Sequence, residues 1–118
     1  MKTHDRRTPE PEIDRIFRAL ANPTRRQVVE RLGRGPASVS DLADPFDMAL
    51  PSFVEHLTVL EEAGLVHSMK EGRVRTCRLA REGLEVAGGW LEEQRRLWEA
   101  RLDRLDAYVT ELSRKDSP

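Results

Sequence analysis

The sequence predicts a mainly α-helical fold with one small β-hairpin, made of four helices, two strands and a last long helix. Apolar residues recur at spacings of three and four in residues 12–64, which is the period of helices that bury one side. After Gly64 the pattern changes to two strand-like runs, Leu65–Met69 and Arg73–Leu79, around a glycine that permits the positive φ of a tight hairpin. Beyond Gly89 a heptad pattern indicates a long helix that needs a partner.

The first two helices are marked by apolar periodicity and by a cap. Four apolar residues at i, i+3, i+4 and i+7 indicate a first helix from about Glu12 to Ala21. Asn22-Pro23 then fits an N-cap followed by proline at the first helical position. A second helix should follow, with Val28, Val29 and Leu32 facing inward.

The stretch from Asp47 to Val66 is the centre of the predicted fold. It contains a helical stripe that includes Phe53 and Leu57, with polar residues on the opposite side. Upstream, an S-x-x-D pattern that begins at Ser38 is typical of the capped start of a short helix. A short helix, a turn and a longer half-polar helix form a helix-turn-helix arrangement. We therefore expect residues 49–56 to lie in the major groove of DNA.

Composition limits where and how such a surface can act. The chain has 118 residues, which fits one domain, and its net charge of −1 requires any nucleic-acid surface to be local rather than global. The single cysteine, Cys77, fits a reducing cytosol, and no apolar run is long enough for a membrane span, so we expect a cytoplasmic protein. We expect a disordered tail at residues 1–11, one domain at residues 12–112 and a polar tail at residues 113–118.

Three segments carry a family resemblance. They are FRALANPTRRQVVERL at Phe17–Leu32, LPSFVEHLTVLEEAGLV at Leu50–Val66 and KEGRVRTCRL at Lys70–Leu79. In this order they resemble the arsenic-repressor-like (ArsR) family of winged helix-turn-helix regulators. The resemblance implies a homodimer through the first and last helices, a fourth helix that reads the major groove, and a hairpin "wing" that reaches the DNA backbone or minor groove. The expected function is therefore repression at a palindromic promoter site.

The resemblance also assigns roles to individual residues. The outward face of the reading helix corresponds to Ala49, Leu50, Ser52, Glu55 and His56. The wing corresponds to Lys70, Arg73 and Arg75. Two arginines near the start of the second helix, Arg25 and Arg26, either touch the DNA backbone or pair with Glu10, Glu12 or Asp14. The expected dimer interface comprises Ile13, Ile16, Phe17, Leu91, Trp98, Leu102, Leu105 and Val109.

The chain departs from the family in ways that remove a metal site. Many members bind metal through a cysteine-valine-cysteine segment in the third helix, but this chain has Ser38-Val39-Ser40, and serine hydroxyls are poor ligands for thiophilic metals. No histidine follows His67, so the last helix lacks the ligands that other members use. We therefore expect neither a metal nor a cofactor. Glu55 is also unusual, because an acid in a reading helix must face a cytosine amino group or point away from DNA.

Three other functions are compatible with parts of the sequence. Ser52 and His56 stand one helical turn apart, but no third group orients the histidine, so we do not expect an enzyme. The near-zero net charge and the acids around the reading helix favour a winged-helix dimer that binds protein instead of DNA. A pocket near Trp90, Trp98 and the first helix would suit a small-molecule effector, which the sequence does not identify.

Overall fold

A computed structural model of the protein describes residues 10–116. The predicted helical order is confirmed, and the sheet gains one short strand. The elements are α1 Glu12–Leu20, α2 Pro23–Leu32, β1 Ala37–Ser38, α3 Val39–Ala43, α4 Leu50–Glu62, β2 Val66–Glu71, β3 Val74–Leu79 and α5 Arg81–Asp116. Most of the tail predicted at the N-terminus, residues 1–9, lies outside the described residues.

The two caps predicted from the sequence are present. The Asn22 side chain accepts a hydrogen bond from the backbone N–H of Arg25 at 3.0 Å, with proline at the first position of α2. The Ser38 hydroxyl accepts from the Asp41 N–H at 3.1 Å at the start of α3. Ala49 is the N-cap of α4 and makes no side-chain cap hydrogen bond. The reading helix therefore begins without the side-chain cap that stabilises α2 and α3.

Helix α4 ends in a Schellman motif. Gly64 has φ +73°, its N–H donates to the Glu61 carbonyl at 3.0 Å, and the Leu65 N–H donates to the Leu60 carbonyl at 2.9 Å. The Gly64 carbonyl in turn accepts from the N–H of Gly83, in the first turn of α5, at 2.8 Å. Two glycines are thus required at this junction. Gly64 adopts the positive φ, and Gly83 allows the two backbone segments to approach closely.

The sheet has three antiparallel strands in the order β1-β3-β2, not the two that the sequence predicts. The two residues of β1 pair with β3, with Ala37 opposite Cys77. The hairpin loop is Gly72–Arg73, where Gly72 has φ +65° and Arg73 does not have a positive φ, as in a type II′ turn. Arg73, predicted to begin a strand, therefore lies at the tip of the hairpin.

Residues 10–87 form one compact unit around a shared core. The following core residues are buried, and they come from α1 to α4, from the start of α5, from the sheet and from the α4–β2 turn: Ile16, Ala19, Val28, Leu32, Leu42, Phe53, Leu57, Leu60, Leu65, Val66, Cys77 and Ala87. Ile16, which is predicted to contribute to a dimer interface, is 0% exposed and packs in this core. Ile13 and Phe17, on the same helix, are only half-buried.

Residues 88–116 form a second unit, which is the remainder of α5. The helix continues to Asp116, so residues 113–116, predicted to be a tail, are helical. Arg95, which interrupts the apolar heptad pattern, is held by its own helix because it contacts Glu92 at 2.9 Å and Glu99 at 2.8 Å. Among the described helices, none is both long enough and apolar enough to cross a membrane.

Candidate nucleic-acid interface

The orientation of α4 is set by its inner face. Phe53, Leu57 and Leu60 are buried in the core, as their spacing predicts. Phe46, in the turn before α4, stacks on Phe53 with ring centroids 5.5 Å apart. Because this side is fixed, the opposite side of α4 faces away from the core.

That outward face carries the predicted reading residues. Ala49, Leu50, Ser52 and Glu55 are exposed, with Leu50 at 54%, whereas His56 is half-buried. The structure adds two exposed residues that the sequence analysis did not single out, Val54 and Thr58, which lie on α4 one turn apart. The Thr58 hydroxyl donates to the Val54 carbonyl at 3.1 Å. The face therefore presents small, apolar and polar groups together with one carboxylate.

Helix α4 supplies no cation, because its sequence contains Glu55, Glu61 and Glu62 but neither lysine nor arginine. Neutralising phosphates must therefore fall to other elements, since phosphate contacts depend on lysine and arginine. The candidates in the sequence are the arginines of α2 and the cations of the wing. In the structure the two groups differ in how many contacts they make within the protein.

The arginines of α2 are committed to the protein itself. The Arg25 guanidinium donates to the Ala19 carbonyl at 2.8 Å and contacts Nδ1 of His56 at 3.0 Å. Arg26 donates to the Leu20 carbonyl at 2.8 Å. The pairing considered for them with Glu10, Glu12 or Asp14 does not form, and Glu10 pairs with Arg18 instead. Both arginines thus bind the carbonyl end of α1, where the helix dipole favours a cation.

The wing residues differ in how firmly they are held. Arg75 donates to the Ser68 hydroxyl at 3.0 Å, and that hydroxyl donates to the Glu61 carboxylate, which ties the guanidinium to α4. Lys70, directly opposite Arg75 in the hairpin, and Arg73 at the tip are exposed and have no partner within residues 10–116. Lys70 and Arg73 are therefore the wing cations available to an external anion.

The outer face of the hairpin carries a further cation to which the sequence alone assigns no role. Arg78 is exposed and lies opposite His67 in the register of β2 and β3. His67 contacts Glu82 of α5 at 3.1 Å. A hydrogen bond from the backbone N–H of Glu82 itself and the contact with His67 lower the pKa of that carboxyl.

Cys77 lies in the core beneath the wing, as a small buried hydrophobe. Burial raises the pKa of its thiol, and the nearby Glu61 carboxylate raises it further while Arg75 opposes the effect. Across the described part of the chain, no cluster of three or more histidine, cysteine, aspartate or glutamate side chains could hold a metal ion.

A cleft of about 410 Å³ opens beside the reading helix. Its walls come from the start of α3, the middle of α4 and strand β3, and its lining residues are Val39, Val54, Leu57, Thr58, Glu61 and Arg75. It is not the pocket that the sequence suggested near the first and last helices.

Known proteins resemble this chain across the same region. A helix-turn-helix domain family matches residues 20–68. The HTH-type transcriptional regulator Rv2034 of Mycobacterium tuberculosis is 42% identical over 71 residues, which cover 60% of this chain and 66% of that protein. The transcriptional repressor SdpR of Bacillus subtilis is 30% identical over 61 residues, which cover 52% of this chain and 68% of that protein. The chain thus spans about two thirds of the length of these relatives.

Solved structures extend the likeness over most of the fold. A crystal structure of an ArsR family transcriptional regulator is 55% identical, with a TM-score of 0.71, and the match covers 75% of this chain and 91% of that one. The NMR structure of a homodimeric winged helix-turn-helix DNA-binding domain from Mycobacterium bovis is 25% identical, with a TM-score of 0.56, covering 79% of this chain and 83% of that one.

Proposed function

The chain belongs to the ArsR family of helix-turn-helix transcriptional regulators, and we propose that it acts as a homodimeric repressor that binds a palindromic promoter site. One observation supports this above all. The outward half of α4 is exposed over a rigidly packed inner half, and the neighbouring hairpin offers Lys70 and Arg73 without protein partners within residues 10–116. A base-reading surface and a phosphate-binding surface are the two parts that specific DNA binding requires.

In this proposal α4 reads the base edges. Ser52 and His56 would hydrogen-bond to bases or to a nearby phosphate, and Leu50 would contact a thymine methyl group. Glu55 is exposed and would accept from a cytosine amino group, which is the partner that suits a carboxylate in the major groove. Glu55 is then part of base selection, and the Glu61 carboxylate is already engaged with Ser68, so these two acids do not favour a protein-binding module over a DNA-binding one.

The wing supplies positive charge. Lys70 and Arg73 would neutralise phosphates, and the Arg73 guanidinium at the narrow tip would also fit a narrow minor groove, where the potential is most negative. Arg75 would contribute less, because Ser68 and Glu61 already hold it.

Dimerisation would position two such surfaces. The second unit exposes apolar residues along α5, and α1 presents the half-buried Ile13 and Phe17. The M. bovis neighbour is described as homodimeric. Twofold symmetry would place the two reading helices about 34 Å apart, one turn of DNA, so the target should be an inverted repeat. A regulator of this kind would work in the cytoplasm, where its DNA target lies.

Selection of bound sequences from a random duplex library by the purified protein tests the proposal. We expect an inverted repeat with half-sites about one helical turn apart. The variants Ser52→Ala and His56→Ala should change which bases are preferred in each half-site. Failure to bind any duplex at low salt would contradict the proposal and revive the protein-binding alternative.

A further inference from the structure

The side chain of Arg25 links three parts of the fold. Its Nε donates to the Ala19 carbonyl at 2.8 Å and its Nη2 to the Arg18 carbonyl at 3.2 Å, both at the end of α1. Its Nη1 contacts Nδ1 of His56, on α4, at 3.0 Å. The guanidinium is a planar group with its donors in a rigid fork, so holding it on two carbonyls also fixes the donor that faces the histidine ring.

The contact determines which ring nitrogen of His56 carries the proton. A guanidinium has five N–H donors and no acceptor, so Nδ1 of His56 must accept the hydrogen bond. In a neutral imidazole one nitrogen accepts and the other donates, and the hydrogen bond at one nitrogen sets the state of the other. We propose that Arg25 is a positioning residue for DNA recognition, which holds His56 as the Nε2–H tautomer and thereby presents it to DNA as a hydrogen-bond donor.

The other ring nitrogen of His56, Nε2, is available to hydrogen-bond to DNA. Nε2 of His56 has no hydrogen-bond partner within residues 10–116, and it is not among the buried polar atoms of that region that lack one, so solvent reaches it. His56 stands one helical turn beyond the exposed Ser52. The inference rests on the proposed function, because it gives the chemistry of one contact in the DNA interface.

A donor at this position restricts the partner. An N–H can pair with O6 or N7 of guanine, with N7 of adenine, with O4 of thymine or with a phosphate oxygen, but not with the cytosine amino group. Glu55, the preceding residue, is an exposed acceptor and has the opposite preference. Adjacent residues of α4 therefore offer DNA one acceptor and one donor, and the donor depends on an arginine in another helix.

Arg26 is a matched control for Arg25. It lies next to it in α2, carries the same charge, and also donates to a carbonyl at the end of α1, that of Leu20, at 2.8 Å. It makes no hydrogen bond to His56. Replacing either arginine with alanine removes one cation and weakens the attachment of α1, so only an effect specific to Arg25→Ala can be assigned to the histidine contact.

The tautomer can be measured without DNA. Two-bond ¹H–¹⁵N correlation spectra of the full chain report the protonation of each ring nitrogen, and His56→Gln identifies the His56 signals among the three histidines. We expect the Nε2–H pattern in the wild type and in Arg26→Ala, and a mixture of tautomers in Arg25→Ala. An Nδ1–H pattern in the wild type, or an unchanged pattern in Arg25→Ala, would overturn the proposal. The wild-type spectrum can overturn it even if Arg25→Ala does not fold.

Binding to a selected inverted repeat then tests the consequence. Arg25→Ala should lose about 3- to 10-fold of the discrimination between the cognate site and a site with the contacted base replaced, as expected for one hydrogen bond, whereas Arg26→Ala should keep it. If replacing guanine by 7-deazaguanine, which lacks the N7 acceptor, weakens DNA binding, that base accepts from His56. If only neutralised phosphates weaken DNA binding, the acceptor is the DNA backbone. Full discrimination in Arg25→Ala, together with a response to neutralised phosphates equal to that of the wild type, would contradict the positioning role even if the protein binds DNA well. Absence of binding by every variant would contradict the proposed function and leave the tautomer result standing.

Discussion

At the scale of single residues, the wing shows that two arginines of one basic run can have different roles. In the sequence Arg73 and Arg75 look alike, because both follow Gly72 at short spacing. In the structure Arg75 completes a chain of hydrogen bonds through Ser68 to Glu61, whereas Arg73 lies in the hairpin turn with no partner in the described part of the chain. Only a side chain without a protein partner can bind phosphate at little cost to the fold.

We therefore predict that Arg73→Ala and Arg75→Ala separate in a salt titration of DNA binding. Loss of one phosphate contact per subunit should reduce the slope of log affinity against log salt by about 0.9 per subunit, so by roughly 2 for a dimer. Arg75→Ala should leave the slope nearly unchanged. Fluorescence anisotropy with a labelled duplex at several salt concentrations measures both slopes, and equal slopes for the two variants would contradict the distinction.

A second residue-scale prediction concerns acid stability. The lowered pKa of Glu82 means that the folded protein favours the ionised carboxylate, through the N–H of Glu82 itself and then through His67. That contribution is present above the ordinary pKa of 4.5 and is lost as pH falls through the lower folded pKa. Glu82→Gln should therefore flatten the decline in stability below about pH 4.5.

Urea unfolding at pH values between about 3 and 7 checks this expectation. The control is Glu85→Gln, which removes a carboxylate from the same helix but leaves the contact between His67 and Glu82 intact. A decline as steep in Glu82→Gln as in the wild type would show that Glu82 does not contribute.

At the scale of elements, the junction of α4, β2 and α5 depends on Gly83. A Cβ atom added there would lie 2.7 Å from the carbonyl oxygens of Ala63 and Gly64, which are backbone atoms that cannot move aside easily. Gly83→Ala should therefore destabilise the fold by about 1–3 kcal/mol, as overpacking typically does. Gly88, also in α5, has nothing within 4 Å of such a Cβ.

Gly88→Ala is the matched control, because it adds the same methyl group to the same helix in open space. It should stabilise the helix by about 0.5–1 kcal/mol, since alanine is the better helix former. Chemical denaturation of both variants gives the two free energies of unfolding. A Gly83→Ala variant as stable as the wild type would show that α5 can shift away from the Gly64 cap.

Which elements can be predicted from the sequence depends on the range of the interactions that form them. The helices and caps were predictable because periodicity and the residues Asn22 and Ser38 act within a few positions of the backbone they stabilise. Strand β1 was missed because two residues carry no alternation, and its existence depends on β3, some forty residues away. The hairpin was predicted, but its turn was placed before Arg73 instead of including it.

The site was predictable only in part for the same reason. The inner stripe of α4 implies that Ser52 and Glu55 lie on the outer face, where both are exposed, whereas Ala49 and Leu50 are named only through the family resemblance. The partner of His56 could not be, because Arg25 is far from it in sequence and no local pattern records that contact. Ile16 was assigned to a dimer interface because an amphipathic helix shows which residues are apolar, but not which surface covers them.

At the scale of the whole molecule, the second unit has an apolar surface that its own residues do not cover. Nine large apolar side chains between Trp90 and Leu112 are each at least 38% exposed: Trp90, Leu91, Leu97, Trp98, Leu102, Leu105, Tyr108, Val109 and Leu112. Contiguous apolar surface of this kind marks an interaction site in soluble proteins. Its 3-4 spacing over Trp98, Leu102 and Leu105 is that of helices that pack side by side.

We predict that Leu105→Lys dissociates the proposed dimer, because a lysine in the apolar stripe would have to leave water in each subunit. Thr110→Lys adds the same charge roughly 140° around the helix from Leu105, outside the stripe, and should leave the dimer intact. Sedimentation at micromolar concentration gives the oligomeric state of both.

If the two subunits together span the inverted repeat, Leu105→Lys should also bind a full site no better than a half-site, while Thr110→Lys should still prefer the full site. A wild type that sediments as a monomer, or a Leu105→Lys variant that remains dimeric, would mean that this face of α5 does not join the subunits and that its exposed residues contact something else.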